Sequence, residues 1–395
     1  MDDMPLQFQY STLTQSEDVE PLGSILDQCF LGKPGSSEAY INQVGMENLR
    51  LIRQSEQIVG GLATIPMGQW YGGQRVPMMG IAAVGIAPQY RGTGAAIALM
   101  QHTLNEIYAK GIPISALYPA TQRLYCKAGY EQGGNQCIWE LPTASIQIWE
   151  QPLALQPVVP IDLEVFYELY QQQAKLINGN LDRHPFIWQQ IIRPSENEGV
   201  YAYLIGTSDR PQGYAILNQH QKEDKNFLLI RDWVALTPDA AQSFWSFVAN
   251  HRSQIDQVRW RGAAIDVLRL LLPEQTTTLK SMATWLLRVV DVAKALEKRG
   301  YPSGLQAELH LEVQDDLIAE NNGRFILSVS HGQGEVTRGG KGELKLHIRE
   351  LAPLYTSLFT PYQLQLTGRL EATETALDTA AQVFAGVSPW MPDFF

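Results

Sequence analysis

Between Ile81 and Met100 the chain reads Ile-Ala-Ala-Val-Gly-Ile-Ala-Pro-Gln-Tyr-Arg-Gly-Thr-Gly-Ala-Ala-Ile-Ala-Leu-Met, an apolar strand broken at Ala87-Pro88 and followed by small residues that open a helix. Such a junction bends tightly and presents backbone N–H groups at the positive end of a helix, which suits an anion such as a pyrophosphate. Gly92 and Gly94 have no side chain to hold phosphate oxygens off those amides, and Arg91 adds a fixed positive charge. The spacing is not that of a Walker loop, because no Gly-Lys-Ser/Thr follows, and it is not Gly-x-Gly-x-x-Gly. Cys126 has no histidine near it in sequence and reads as a buried structural thiol rather than an acyl-accepting nucleophile. With Cys29 and Cys137 it makes an odd set of widely spaced cysteines without a C-x-x-C motif, so neither a disulfide framework nor a metal site is expected.

The elements that position this loop alternate between helical and strand signals over the first 140 residues, the pattern of an α/β or α+β unit. Apolar spacing predicts a helix from Val19 to Phe30, and strands at Leu49–Arg53, Ile58–Trp70 and Arg75–Ile86, consecutive and antiparallel because glycine-containing turns join them. Prolines at 152, 157 and 160 mark a boundary. Beyond it, strands at Tyr201–Ile205, Gly213–Asn218 and Phe227–Leu236, a helix at Pro238–His251 and a strand at Val258–Trp260 repeat the grammar of the first unit. A second boundary is expected near 275 to 285, followed by an amphipathic helix at Val290–Arg299 and by mixed strands and helices. The division is therefore 1-150, 151-284 and 285-395.

The full chain of 395 residues carries 30 basic and 41 acidic side chains, a formal net charge of -11. That balance speaks against binding a nucleic-acid backbone, which needs clustered Lys and Arg, and is compatible with a cationic substrate. Met1-Asp2-Asp3-Met4-Pro5 is acidic with no apolar run behind it, so no secretory leader or membrane anchor is expected and the chain reads as cytoplasmic.

Arg91, Gly94 and Ala96, following Val-x-Ile-x-Pro-x-Tyr, satisfy an Arg/Gln-x-x-Gly-x-Gly/Ala pattern in a strand–loop–helix context. This resembles the acetyl-coenzyme A loop of the GCN5-related N-acetyltransferases (GNAT). The resemblance implies an α+β fold with a mixed sheet, and acetyl-CoA held by Arg91, Gly92, Thr93, Gly94, Ala95, Ala96 and Ile97. Val84, Gly85 and Ile86 would lie along its pantetheine, with Ala120 and Thr121 alongside. Leu124-Tyr125-Cys126-Lys127-Ala128-Gly129-Tyr130 resembles that family's Leu-Tyr-x-x-x-Gly-Phe/Tyr signature, whose first tyrosine points at the coenzyme sulfur. Tyr125 is thus the candidate acid that protonates the departing thiolate, while Tyr130 is expected to pack into the sheet.

The second unit lacks the glycine loop, reading Ala235-Leu236-Thr237-Pro238-Asp239 where it would stand, and should not bind coenzyme A in this way. The third resembles the sterol carrier protein fold. The three-part order, the Tyr125 segment and the Leu-Leu-Arg-Val-Val-Asp stretch at 286 to 291 together resemble the enhanced intracellular survival (Eis) family. That resemblance implies a homohexamer acetylating small polyamine-like or aminoglycoside amines, with the terminal carboxylate as base. Here Ser388-Pro389-Trp390-Met391-Pro392-Asp393-Phe394-Phe395 is too apolar for a solvated tail, so it should dock and fix the Phe395 carboxylate. Phe394 stands where some relatives carry an acid, which leaves Asp393 or the Asp27 region as substitutes. The apolar cluster Phe244, Trp245 and Phe247 is expected to be helix core rather than an oligomer contact. Two other readings share these residues: a non-catalytic acetyl-CoA sensor, and an acetyltransferase for protein lysines.

Overall fold

The structure, a computed structural model, describes residues 8–194 and 198–395; the acidic start at Met1–Pro5 lies outside the described residues. In the first unit the elements are β1 (Phe8–Thr12), α1 (Val19–Phe30), α2 (Ser36–Val44), β2 (Leu49–Gln54), β3 (Gln57–Tyr71), β4 (Gln74–Ile86), α3 (Ala95–Ala109), β5 (Ile114–Leu117), α4 (Gln122–Lys127) and β6 (Glu131–Pro142). Strands β2, β3 and β4 form the expected antiparallel meander, the last two joined through Gly72 and Gly73, both at positive φ. Helix α3 then carries the chain across the sheet so that β5 returns parallel to β4, pairing Met78–Gly80 with Ile114–Ala116.

The second unit comprises β7 (Leu155–Pro157), α5 (Glu164–Ala174), β8 (Leu181–Asp182), α6 (Pro185–Ile192), β9 (Val200–Thr207), β10 (Arg210–Lys222), β11 (Lys225–Ala235), α7 (Pro238–Ala249), β12 (Gln257–Gly262) and β13 (Thr278–Val289). It repeats the plan: β9, β10 and β11 are antiparallel, and β12 returns parallel to β11 after α7. Phe244 and Trp245 are buried in its core, as expected.

The two units exchange their last strands. Strand β6 of the first pairs with β12 of the second, and β13 of the second pairs with β5 of the first, while β6 and β13 pair with each other. One sheet results, ordered β1-β2-β3-β4-β5-β13-β6-β12-β11-β10-β9-β7, with β8 against β3. The expected boundary at 284/285 falls inside β13, which runs unbroken from 278 to 289. Its first half is exposed, Leu279 and Met282 included, and is held as a strand by β6 alone; only the buried second half has a ladder on both sides.

The last part contains α8 (Val292–Lys298), β14 (Ala307–Gln314), β15 (Gly323–Ser330), β16 (Gln333–Arg338), β17 (Leu344–His347), α9 (Ile348–Tyr355), α10 (Pro361–Leu366), β18 (Leu370–Ala372) and α11 (Glu374–Val383). Its own sheet runs β16-β15-β14-β17-β18. After α11 the chain returns to the large sheet, where Trp390 bridges to Asn135 of β6 and its amide donates to the Asn178 carbonyl. Among the described residues no helix is long and apolar enough to cross a membrane.

Candidate active site

The loop between β4 and α3 has the geometry its sequence implies. Gly92 and Gly94 sit at φ +82° and +94°, in the left-handed region. A Cβ at either would meet open space, so glycine is needed there for the backbone angle. No side chain caps α3, and the amides of Gly92, Gly94, Ala95, Ala96 and Ile97 donate to no acceptor among the described residues. They open onto a cavity of about 490 Å³ lined by Ile86, Arg91, Gly92, Gly94, Ala95, Ala96, Ile97 and Thr121. Arg91 folds back so that its Nε donates to the Ile86 carbonyl at 3.3 Å. Arg123 and Lys127 complete the wall. These two cations were not singled out in sequence, yet their i,i+4 spacing puts them on one face of α4. Free amides, a helix end and three cations fit a pyrophosphate.

Thr121 also lines a second cavity of about 750 Å³, which continues between β4 and the end of β5 past Val84, Tyr118, Ala120, Tyr125 and Phe395. Strand β4 bends here through a bulge: Gly61 pairs with Gly85 and Ala63 with Ala82, leaving Ala83 and Val84 opposite Leu62. Ala83 takes φ +50°, a strained angle for a residue with a Cβ. Gly85 and Thr93 line neither cavity. Gly85 packs against Leu26 and Cys29 of α1, and the Thr93 hydroxyl donates to the Tyr90 carbonyl.

Helix α4 places Tyr125 in this second cavity, 5% exposed, and burial pushes its phenol up to about 12. A phenol held that high stays protonated and is suited to donate. Tyr130, fully buried, stands within hydrogen-bonding distance (2.7 Å) of the Ser115 hydroxyl and belongs to the sheet interior, as expected. Burial raises the Cys126 thiol, and Glu131 nearby raises it further, the opposite of an activated nucleophile.

The C-terminal segment docks as its composition implies. Gln136 Nε2 donates to the carbonyls of Met391, Pro392 and Asp393, and the Tyr118 hydroxyl donates to the Asp393 carbonyl at 3.0 Å. The Phe395 ring presses on Gly80, where a Cβ would come within 2.8 Å of it. Asp393 does not face the cavity as a substitute acid: its carboxylate is buried against Arg183, which also forks onto Asp232 at 2.6 and 3.0 Å. Burial raises the Asp393 carboxyl despite that partner. Asp27 is likewise occupied, accepting from the amides of Gly35 and Ser37 and from the Ser36 hydroxyl. Phe394 remains 62% exposed, its ring 4.5 Å from that of Tyr118.

Comparison with known proteins gives the family and the domain order. Residues 10–133 and 179–289 each match an acetyltransferase (GNAT) domain, and residues 292–392 match a sterol carrier protein domain. The chain is 62% identical to a crystallised GCN5-related N-acetyltransferase from Anabaena variabilis, with a TM-score of 0.97 over 98% of this chain and 100% of that one. It is 29% identical to an uncharacterized N-acetyltransferase of Streptomyces griseus over 82% of this chain and 83% of that protein. It is 24% identical to N-acetyltransferase Eis of Mycobacterium tuberculosis over 88% of this chain and 89% of that protein. Two acetyltransferase folds, a sterol carrier protein domain and a shared length establish that the chain belongs to the GCN5-related N-acetyltransferases, an N-acetyltransferase of the Eis type.

Proposed function

We propose that this chain transfers acetyl from acetyl-CoA to a primary amine of a small molecule by direct attack, in the first unit alone. The observation that carries the reading is the continuity, through Thr121, of the amide-lined cavity with the one holding Tyr125 and Phe395. The loop amides of 92 to 97 with Arg91, Arg123 and Lys127 hold the pyrophosphate, and β4 at Val84–Ile86 lies along the pantetheine. Acetyl-CoA supplies the activated acyl group and a thiolate leaving group. Tyr125 gives its proton to sulfur. The Phe395 carboxylate takes the proton from the amine.

The acceptor classes that the resemblance suggests are aminoglycosides and polyamine-like compounds. The three free cysteines support a reducing, cytoplasmic setting. Ile265, Val267 and Leu270, exposed in one short segment, offer apolar surface for the homohexamer that the resemblance implies. The domain division read here is 1-150, 151-289 and 290-395, which keeps β13 whole in place of the expected boundary at 284/285. The test is thiol release from acetyl-CoA with aminoglycosides, polyamines and a lysine peptide. Release with small amines supports the reading; release with the peptide alone makes the chain a protein acetyltransferase, and acetyl-CoA binding without release makes it a sensor.

A further inference from the structure

Across Phe394 from the Tyr125 cavity lies another of about 710 Å³, roofed by α6 and floored by β10, β11, β12 and β13. Phe394 lines both, so the two meet at the C-terminal segment. The whole chain is acidic, but this cavity is not. Arg231, Arg259, Arg261 and Lys280 line it against Glu198 and Asp393. Arg259 and Lys280 are both held by Glu140, at 2.6 and 3.3 Å, and Asp393 is held by Arg183. Glu198 accepts from Asn218 and lies 3.5 Å from His220 Nδ1. Glu198 acts on Arg231 and Asp393 on Arg261, but neither guanidinium has a carboxylate within 4.0 Å among the described residues.

Their placement is built into the fold. Strands β11 and β12 pair in parallel only as far as Ile230 and Trp260, so Arg231 and Arg261 are the first residues beyond the pairing, where the strands part. Arg231 is also the unpaired residue of a bulge, since Ile216 pairs with Asp232 and Leu217 with Ile230. Bulges re-aim a side chain. Arg231 is anchored by donating through Nε and Nη2 to the carbonyls of Ile191 and Gln190 at 2.6 and 2.8 Å, which leaves Nη1 unused. The Arg261 guanidinium makes no hydrogen bond among the described residues. Burial and the charge of Arg261 together depress the Arg231 guanidinium, so the two cations act on each other. Arg261 also acts on Tyr118, in the wall of the Tyr125 cavity, and on Asp393.

Two mutually repelling guanidiniums, half-buried in a roomy cavity, are relieved by an oxyanion, which they bind through charge-assisted forked hydrogen bonds. We propose that this cavity is the far end of the acceptor site, and that the acceptor amine belongs to a molecule that also carries an oxyanion, a carboxylate or a phosphate, seated on Arg231 and Arg261. This rests on the acetyl-transfer reading for the amine end and departs from its polyamine-like acceptors, putting in their place an amine with an anionic tail.

The test compares acceptors of matched length in the full-length protein: an alkylamine, a diamine, an ω-amino carboxylate and an ω-amino phosphonate, with thiol release and calorimetric binding as separate readouts. The anionic amines are expected to have a KM lower by about tenfold or more than the alkylamine, as charge-assisted bonds warrant. Arg261→Gln should erase that advantage, raising the KM of the anionic amines about tenfold more than that of the alkylamine, and be rescued in part by Arg261→Lys. The preference between carboxylate and phosphonate identifies the anion. A diamine preferred over both anionic amines, or an Arg261→Gln variant that weakens alkylamine and anionic amine equally, overturns the proposal while acetyl transfer stands. Anionic amines that bind through Arg261 without thiol release from any amine would instead overturn the acetyl-transfer reading and keep the site. No calorimetric binding of either anionic amine overturns the site itself.

Discussion

The two acetyltransferase units share a plan and even trade their last strands, yet they treat the start of their crossover helix in opposite ways. In the first, α3 begins after Gly94 with no side-chain cap and no acid in its first turn. In the second, the Thr237 side chain accepts from the Ala240 amide, Pro238 contributes no N–H, and Asp239 sits in the first turn of α7. The same partial positive charge is thus left open in one helix and satisfied from within in the other. The clefts differ too. Between β4 and β5 the walls are small, Ala82, Ala83 and Ala120 among them, whereas Trp233 spans the parting of β11 and β12 and donates to the Arg261 carbonyl at 3.3 Å. A fold duplicated in this way keeps its sheet register but not its ligand site, because the site depends on a handful of loop residues that the sheet does not constrain.

The comparison can be broken most sharply at Phe395, which lines the first unit's cavity and not the second's. Adding a glycine after Phe395 is expected to lower kcat by about 10³-fold, within the range for a lost proton transfer, with acetyl-CoA affinity unchanged; steady-state thiol release and calorimetry measure the two. Unchanged turnover removes the carboxylate from the chemistry. Tyr125→Phe should cost about 10²-fold in kcat by the same logic. The wild-type kcat should show no alkaline fall at 10.0, where an ordinary tyrosine titrates, because burial lifts this one to about 12 and keeps the phenol protonated. Gly94→Val places a β-branched residue at φ +94° and should weaken acetyl-CoA by about tenfold through a strain of about 1–2 kcal/mol. Arg123→Gln with Lys127→Gln, on exposed side chains, should weaken it by only about threefold, and less at high salt.

Much of the first unit was legible because its signals are local. The glycine spacing at 92 and 94, the strand before it and the Tyr125 heptapeptide all specify geometry within a few residues, and the structure carries each of them. The apolar tail at 388–395 announced its docking in the same way. What sequence reading missed depends on distant partners. Strand β13 looks like a boundary because its exposed first half is a strand only through its ladder with β6. Asp393 reads as an available acid, and only the fold brings Arg183 to it across 210 positions of chain. Arg231 and Arg261 are unremarkable in sequence until the parting of β11 and β12 sets them together. The net charge of -11 is a sum over the whole chain and does not tell which charges one cavity collects.

The central claim is that one unit binds acetyl-CoA and its duplicate does not. Calorimetric titration of the full-length protein with acetyl-CoA tests it most directly, alongside Gly94→Val and Thr237→Ala variants. The account predicts one acetyl-CoA per chain, weakened by Gly94→Val and untouched by Thr237→Ala. Two acetyl-CoA per chain, or binding that Thr237→Ala weakens and Gly94→Val leaves intact, would contradict it.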